Sequence, residues 1–295
     1  MTGSNRYVLI TPTRDEEKTI GKTIASVVSQ TILPAEWLIV SDGSTDRTDS
    51  LVKEAQIDHP WIRLIQLPSR PERCFGAVAK ATIIAVEALT VTDHSFIGLL
   101  DSDIKFNSGY FESVMREFEA NPRLGLAGGW VLDEDENPHI LPDNLRDVPG
   151  AVQFFRRNCF ESLSGIHIIP EGGWDMLTCA EARMNGFETA LLTGLKVDHL
   201  KPRNIAYGGV LSRRWQSGVR DYVLGYHPLF EIVKCLGRLR EHPALISAVC
   251  WWMGYMSAAI VRKERPIPSD LLAHIRSEQL LRLKSIGRKF QAATS

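Results

Sequence analysis

Phe96-Ile97-Gly98-Leu99-Leu100-Asp101-Ser102-Asp103 is the stretch on which the fold of this chain turns. Phe96–Leu100 is a short apolar run of the kind that fills the centre of a sheet covered on both faces. Two carboxylates follow at its C-terminal end, which is where open α/β sheets bind their ligands. If the backbone stays extended, alternation points Asp101 and Asp103 the same way and Ser102 the other. Two hard oxygen donors on one side suit a divalent cation that also holds phosphate oxygens. An acidic turn after a strand is the plainer alternative.

Working outward from that strand, the N-terminal side repeats one pattern. Tyr7–Thr11 is an apolar run ended by Pro12, so a strand. Ile20, Ile24, Val27 and Val28 have helical spacing, and the helix is expected to run to Gln30. Trp37–Val40 is a second strand. Asp42-Gly43 begins its turn, with Ser44 or Asp46 as candidate cap for a helix holding Leu51 and Val52. Ile62–Ile65 is a third strand and Ala77–Leu89 an Ala-rich helix. Strands alternating with helices predict βαβ units, a parallel sheet and right-handed crossovers. Neither G-x-G-x-x-G nor G-x-x-x-x-G-K-[ST] occurs, which removes most of the weight from dinucleotide-oxidoreductase and P-loop readings.

On the C-terminal side, Ser108–Ala120 reads as a helix, Leu124–Val131 as a strand and Asp133–Pro149 as an acidic, proline-containing loop. This loop is either arranged around an acceptor or a surface insertion without a role. Ala151–Phe155 is another strand. Pro170-Glu171-Gly172-Gly173-Trp174-Asp175-Met176-Leu177 puts a flexible Gly-Gly before an aromatic and a carboxylate, and a helix follows. Asp175 fits the N-cap of that helix. Ala190–Leu192 and Leu195–His199 suggest a late strand ending in a histidine.

Three of these segments together resemble family 2 glycosyltransferases of the GT-A fold. Leu9-Ile10-Thr11-Pro12-Thr13-Arg14-Asp15-Glu16 looks like the family's opening. Ile39-Val40-Ser41-Asp42-Gly43-Ser44-Thr45-Asp46 is similar to its second motif, and Asp101-Ser102-Asp103 falls where its D-x-D belongs. The likeness spans roughly residues 6–200. It implies a nucleotide-sugar site formed by Thr11, Pro12, Thr13, Arg14, Glu16, Asp42, Asp101 and Ser102. Asp42 would meet the nucleobase edge, and Asp101 the ribose or the metal. The implied cofactor is Mg²⁺ or Mn²⁺, ligated by Asp103, with Asp101 and His199 as further ligands. His199 has a diphosphate contact or a structural role as alternatives.

Lys80 or Arg73 would approach the diphosphate, although Lys80 stands where the family often has Asn and fits a solvated helix face equally. Asp175 matches the second letter of the family's acidic base motif. The first letter is Trp174 here, and its ring offers a stacking face to a sugar.

The whole chain has 295 residues, 44% hydrophobic and 23% charged, enough for a full core and one or two domains. Residues 1–200 carry 18 Lys+Arg against 29 Asp+Glu, and residues 201–295 carry 16 against 6. That asymmetry suggests different partners for the two parts. Five cysteines (Cys74, Cys159, Cys179, Cys235, Cys250) are an odd number without a C-x-x-C pair, so reduced thiols in a cytoplasm-like compartment are expected. The N-terminus has no apolar signal-peptide region.

In the last hundred residues, Arg214-Trp215 matches part of the Q-x-x-R-W of processive family members, but Leu211 replaces the Gln, which favours a single transfer. Tyr222–Leu236 is helical in spacing. Ala244–Val261 has 18 residues without a charge, about 27 Å as a helix, at the lower edge of a membrane span. It reads as an interfacial helix, a helix packed on the catalytic domain, or a span. The basic tail from Arg276 to Lys289 fits docking to anionic lipid or a solvated face.

The expectation is thus a GT-A α/β protein with a Rossmann-like, mostly parallel central sheet flanked by helices. Residues 1–204 would form the catalytic domain, and 205–295 a helical, basic region associated with the membrane. By resemblance it is a metal-dependent, inverting hexosyl transferase that makes single additions in polysaccharide or glycoconjugate biosynthesis, with Asp175 as base. Its partners are a nucleotide-diphospho-sugar donor, a glycan, glycolipid or other hydroxyl acceptor, and an anionic membrane surface, with no nucleic acid. The location is cytoplasmic, peripheral on the inner face of the membrane. A sugar nucleotidyltransferase and a non-catalytic carbohydrate- or lipid-binding module are the alternatives.

Overall fold

The computed structural model describes residues 5–68, 75–133, 144–201, 209–239 and 244–294. The chain divides into two compact units, Met1–Ile168 with Trp174–Arg203, and Ile169–Gly173 with Asn204–Ser295.

The first unit is built on β1 (Tyr7–Thr13), β2 (Glu36–Asp42), β3 (Ile62–Leu67) and β4 (Phe96–Leu100), parallel and ordered β3-β2-β1-β4. Helices α1 (Ile20–Val28), α2 (Thr48–Asp58) and α3 (Phe75–Ala88) connect them. The apolar runs are fully covered, as parallel strands require: Tyr7–Ile10 and Trp37–Val40 have no exposed surface. On one side Tyr7, Phe96 and Phe154 interlock with Phe111 and Phe118 of α4 (Tyr110–Ala120), at ring-centroid distances from 4.8 to 6.0 Å. Arg47, after the expected Ser44 and Asp46, stands at the N-cap of α2. Asp46 nonetheless serves the end, accepting the Thr48 N–H at 2.9 Å.

The sheet departs from all-parallel order beyond β4. β7 (Val152–Arg156) inserts between β4 and β6 (Leu124–Leu132) and is antiparallel to both. Only a crossover returns a chain parallel to the strand before it, and no helix is described between β6 and β7. Of the expected loop, residues 134–143 lie outside the described residues.

The two late apolar segments form one strand, β8 (Glu188–His199), parallel to β6 with a register shift at Gly129/Trp130. The short β5 (Ile104–Lys105) pairs antiparallel with its end, placing Ile104 opposite His199. Helices α5 (Arg157–Ser162) and α6 (Trp174–Met184) complete this unit.

The second unit is helical: α7 (Val210–Val223), α8 (Pro228–Gly237), α9 (Ile246–Ile260) and α10 (Ser269–Thr294). The continuous helix expected over Tyr222–Leu236 is broken. Gly225 has φ +77°, Pro228 opens α8, and the His227 ring accepts the Leu229 N–H at 3.2 Å. α7 and α9 touch backbone to backbone, because a Cβ on Gly218 would fall 1.9 Å from the Trp251 carbonyl oxygen and one on Gly254 2.1 Å from that of Trp215. Arg214 is used here as well, with its guanidinium 5.5 Å from the Trp251 ring.

α9 has 15 residues and so rises about 22 Å, short of a ~30 Å hydrocarbon layer. Among the described residues no helix is long and apolar enough to cross a membrane, which removes the span reading of Ala244–Val261.

Candidate functional site

The chain turns immediately after β4. Residues 101–103 form a turn into β5 instead of continuing extended, so the alternation expected for the two aspartates does not apply. The turn is pinned from three directions. The Asp101 N–H donates to the Ala151 carbonyl at 3.0 Å, and the Leu200 N–H donates to the Asp103 carbonyl at 2.7 Å. Thr23 of α1 lies beneath. Its hydroxyl is 2.9 Å from the carbonyl oxygens of both Ser102 and Ile104, and the Ile104 N–H donates to it at 3.3 Å.

His199 reaches this turn because β5 pairs with the end of β8. Its Nε2 lies 3.5 Å from Asp103 Oδ2 and its Nδ1 2.8 Å from Asp133 Oδ1. Burial lowers the histidine's proton affinity, but hydrogen bonds and charge from Asp103 and Asp133 outweigh it and the net shift is upward. Asp101 is pushed up to about 7, first by burial and then by the Asp103 carboxylate. Asp175 and Glu16 add to the effect, and His199 opposes it. Several carboxylates therefore face one another, opposed by His199 and, at Glu16, by the Lys201 ammonium.

Among the described residues no three His, Cys, Asp or Glu side chains stand arranged to hold a metal ion by themselves. The donor set still fits a hard divalent cation whose remaining ligands are phosphate oxygens and water. A histidine that spends Nδ1 on a carboxylate presents Nε2 in fixed orientation, the usual support of a metal-ligating imidazole.

On the other side of β1, the two N-terminal motif loops are laced together. The Arg14 guanidinium lies 3.8 Å from Asp42 Oδ2 and 3.9 Å from Asp15 Oδ2. Asp15 takes a positive φ of 54°, and its carboxylate accepts the Thr45 N–H at 2.8 Å. The Asp15 N–H donates to Ser44 Oγ at 3.2 Å, and the Glu16 N–H donates to Thr48 Oγ1 at 2.7 Å. Thr11 accepts the Trp37 indole N–H at 2.9 Å, so its side chain supports the core. The Thr13 hydroxyl is buried and has no hydrogen-bond partner among the described residues. Pro12 stands opposite Val40 in the β1–β2 register, one pair before Thr13 and Ser41 close it. Glu16 is within 2.5 Å of both the Thr19 hydroxyl and the Lys201 ammonium.

Asp175 is the second residue of α6, in its first turn, and so does not stand at the N-cap expected for it. Its Oδ2 accepts the Gly150 N–H at 3.1 Å and its Oδ1 the Met176 N–H at 3.0 Å. Gly150 is required by this approach, since a Cβ there would meet the Trp174 ring at 2.8 Å. Gln153 of β7 donates to the Asp175 backbone carbonyl at 3.1 Å and to the Val148 carbonyl at 3.0 Å, tying α6 to the strand beside β4.

The structure thus brings Asp101, Asp103, His199, Asp175 and Glu16 into one electrostatic neighbourhood, and Arg14 into contact with Asp42. Lys80 stays apart. It is exposed on α3 and makes no hydrogen bond or ion pair among the described residues. Arg73 lies outside the described residues. Asp133, Thr23, Gly150 and Gln153 were not legible as site residues. The one hint was that Asp133 starts the acidic segment after a strand.

Comparison with known proteins gives a consistent answer. A family model described as "Glycosyl transferase family 2" matches residues 8–171. Chondroitin synthase of Pasteurella multocida is 27% identical over 119 residues, 40% of this chain and 11% of that protein. The poly-beta-1,6-N-acetyl-D-glucosamine synthase of Staphylococcus epidermidis is 24% identical over 139 residues, 47% and 29% respectively. The chain thus spans less than a third of the length of these relatives.

Among solved structures, the Pyrobaculum calidifontis mannosyltransferase PcManGT, in complex with GDP-Man and Mn²⁺, superposes with a TM-score of 0.58 at 17% identity. The match covers 97% of this chain and 83% of that one. S. aureus TarS 1–349 with UDP-GlcNAc gives 0.54 at 14% identity, covering 72% and 65%. At these identities the likeness establishes the GT-A fold.

Proposed function

The chain belongs to glycosyl transferase family 2, and on that premise we propose that it transfers a sugar from a nucleotide-diphosphate donor to an acceptor hydroxyl with inversion, in single additions that build a polysaccharide or glycoconjugate. The observation that carries this reading is the meeting of the β4–β5 turn acids with Asp175. Asp101 sits in the field of Asp103, Asp175 and Glu16, so donor-holding and proton-accepting groups share one neighbourhood.

In this reading Asp42 accepts hydrogen bonds from the nucleobase edge and Arg14 holds it in place. The ends of β1 and β4, from Thr11 to Arg14 and at Ser102, line the nucleoside. Asp101, Asp103 and His199 would hold Mg²⁺ or Mn²⁺. Such a cation supplies positive charge against the diphosphate as it leaves. Asp175 takes the acceptor proton as the acceptor oxygen bonds to the anomeric carbon. The bond from that carbon to the diphosphate breaks on the opposite face, and a nucleoside diphosphate departs. The N–H groups of Gly150 and Met176 fix the carboxylate's direction, and Trp174 offers its ring to the acceptor or sugar.

Donor binding and slow donor hydrolysis, measured across UDP-, GDP- and dTDP-sugars with Mn²⁺ and with EDTA, test the proposal. One donor should bind in a metal-dependent way and release the nucleoside diphosphate. Release of pyrophosphate would instead indicate a nucleotidyltransferase, and turnover unaffected by EDTA would remove the metal from the scheme.

A further inference from the structure

In the second unit several charged groups are buried while several large apolar side chains stand outside. Trp251 of α9 is 5% exposed and is surrounded by ionised groups. Asp221 of α7 accepts its indole N–H at 2.6 Å, and Lys234 and Arg238 lie over the ring at 4.6 and 4.8 Å. Glu231 has no exposed surface at all.

The outward stripes are the reverse. On α8, Leu229, Ile232, Val233 and Leu236 recur at helical spacing and are 39–57% exposed. On α9, Ile246, Val249, Met253, Met256 and Ile260 follow the same rule at 37–76%. The two helices pack together through Cys235, Ala248 and Trp251, leaving both stripes uncovered. Two neighbouring helices with uncovered apolar stripes exceed the scattered exposed apolar residues of an ordinary surface and mark a contact face.

We propose that the exposed faces of α8 and α9 seat the protein on an anionic lipid bilayer, lying in the interface without crossing it. Charge decides between occupants. Residues 201–295 carry 16 Lys+Arg against 6 Asp+Glu, and exposed Arg262 and Lys263 follow α9 directly. A second copy would set two such basic regions against each other. Anionic headgroups complement them while the acyl boundary takes the apolar stripes. The length of α9 fits lying in the interface, since it is too short to span.

The test is flotation of the full chain with phosphatidylcholine vesicles, with and without phosphatidylglycerol, at low and high salt. Light scattering in the absence of lipid runs beside it. Binding should require phosphatidylglycerol and weaken in salt. Val249→Glu with Met253→Glu, or Leu229→Glu with Leu236→Glu, should each lower partitioning roughly tenfold or more, from loss of apolar insertion and like-charge repulsion. These side chains are exposed, so unchanged circular dichroism should accompany the loss. Absence of wild-type flotation on phosphatidylglycerol vesicles would overturn the proposal. So would variants that float as well as the wild type, or a solution dimer that the same substitutions dissociate.

Discussion

Asp42 and Asp101 occupy equivalent stations on the two strands that flank β1, each at the carboxyl end of a buried parallel strand. Their surroundings are opposite. Asp42 has the Arg14 guanidinium 3.8 Å away, across a pair of loops tied by Asp15, Ser44, Thr45 and Thr48. Asp101 faces Asp103, Asp175 and Glu16, with His199 as the opposing charge, and burial raises it to about 7. A compensated carboxylate suits a neutral partner such as a base edge. A crowd of acids in which Lys201 pairs with Glu16 and His199 opposes Asp101 suits a cation, as the proposed function has it. In the proposed function these surroundings give the carboxyl ends of β2 and β4 two different recognition chemistries.

The largest expected effect tests the boundary between binding and chemistry. Asp175→Asn should lower transfer by ~10²–10⁴-fold while leaving donor affinity unchanged, which separates a proton acceptor from a third binding acid. Isothermal titration beside initial rates reads both, and wild-type turnover would remove the base. Next, Asp133→Ala should weaken Mn²⁺ affinity by about 10–100-fold through the freed imidazole, with partial rescue in Asp133→Asn. Paramagnetic resonance of free Mn²⁺ measures this without turnover, and equal affinity in all three proteins would make the His199–Asp133 bond purely structural.

Thr23→Val should cost about 1–3 kcal/mol, since it leaves the Ser102 and Ile104 carbonyls and the Ile104 N–H short of their partner. Urea denaturation checks it, and a neutral result would mean that the turn holds itself.

The smallest effect lies in the second unit. Burial and the nearby Asp221 raise Glu231 to about 7, against Lys234 and Arg238. A carboxyl raised on folding stabilises the fold below its ordinary value of 4.5. That contribution fades as pH rises toward 7, where the folded protein must ionise it too. Melting temperature should fall over that window, and Glu231→Gln should flatten the slope. A flat wild-type profile would contradict the burial.

The β1–β4 half was legible because its signals are local: fully apolar runs, turn residues and motif spacing lie within single segments. Asp42, Asp101, Asp103 and His199 sit at strand ends that could be found from the sequence. Their partners could not. Asp133 meets His199 from 66 residues away, and Thr23 reaches Ser102 across 79. The turn at residues 101–103 was misread because alternation presumes a straight backbone. Ala151–Phe155 was legible as a strand but its antiparallel direction was not, since that depends on how the chain returns. The helix over Tyr222–Leu236 failed for a local reason, since Gly225 and Pro228 were outvoted by apolar spacing.

The most direct measurement is donor-nucleotide affinity, with Mn²⁺ and with EDTA, in the wild type, Asp42→Ala and Asp103→Ala. EDTA should weaken binding in the wild type and in Asp42→Ala, whose overall affinity is lower. It should make no difference in Asp103→Ala, which has already lost the metal-dependent part. Equal metal dependence in Asp103→Ala and the wild type would contradict the assignment of the β4–β5 acids to a cation.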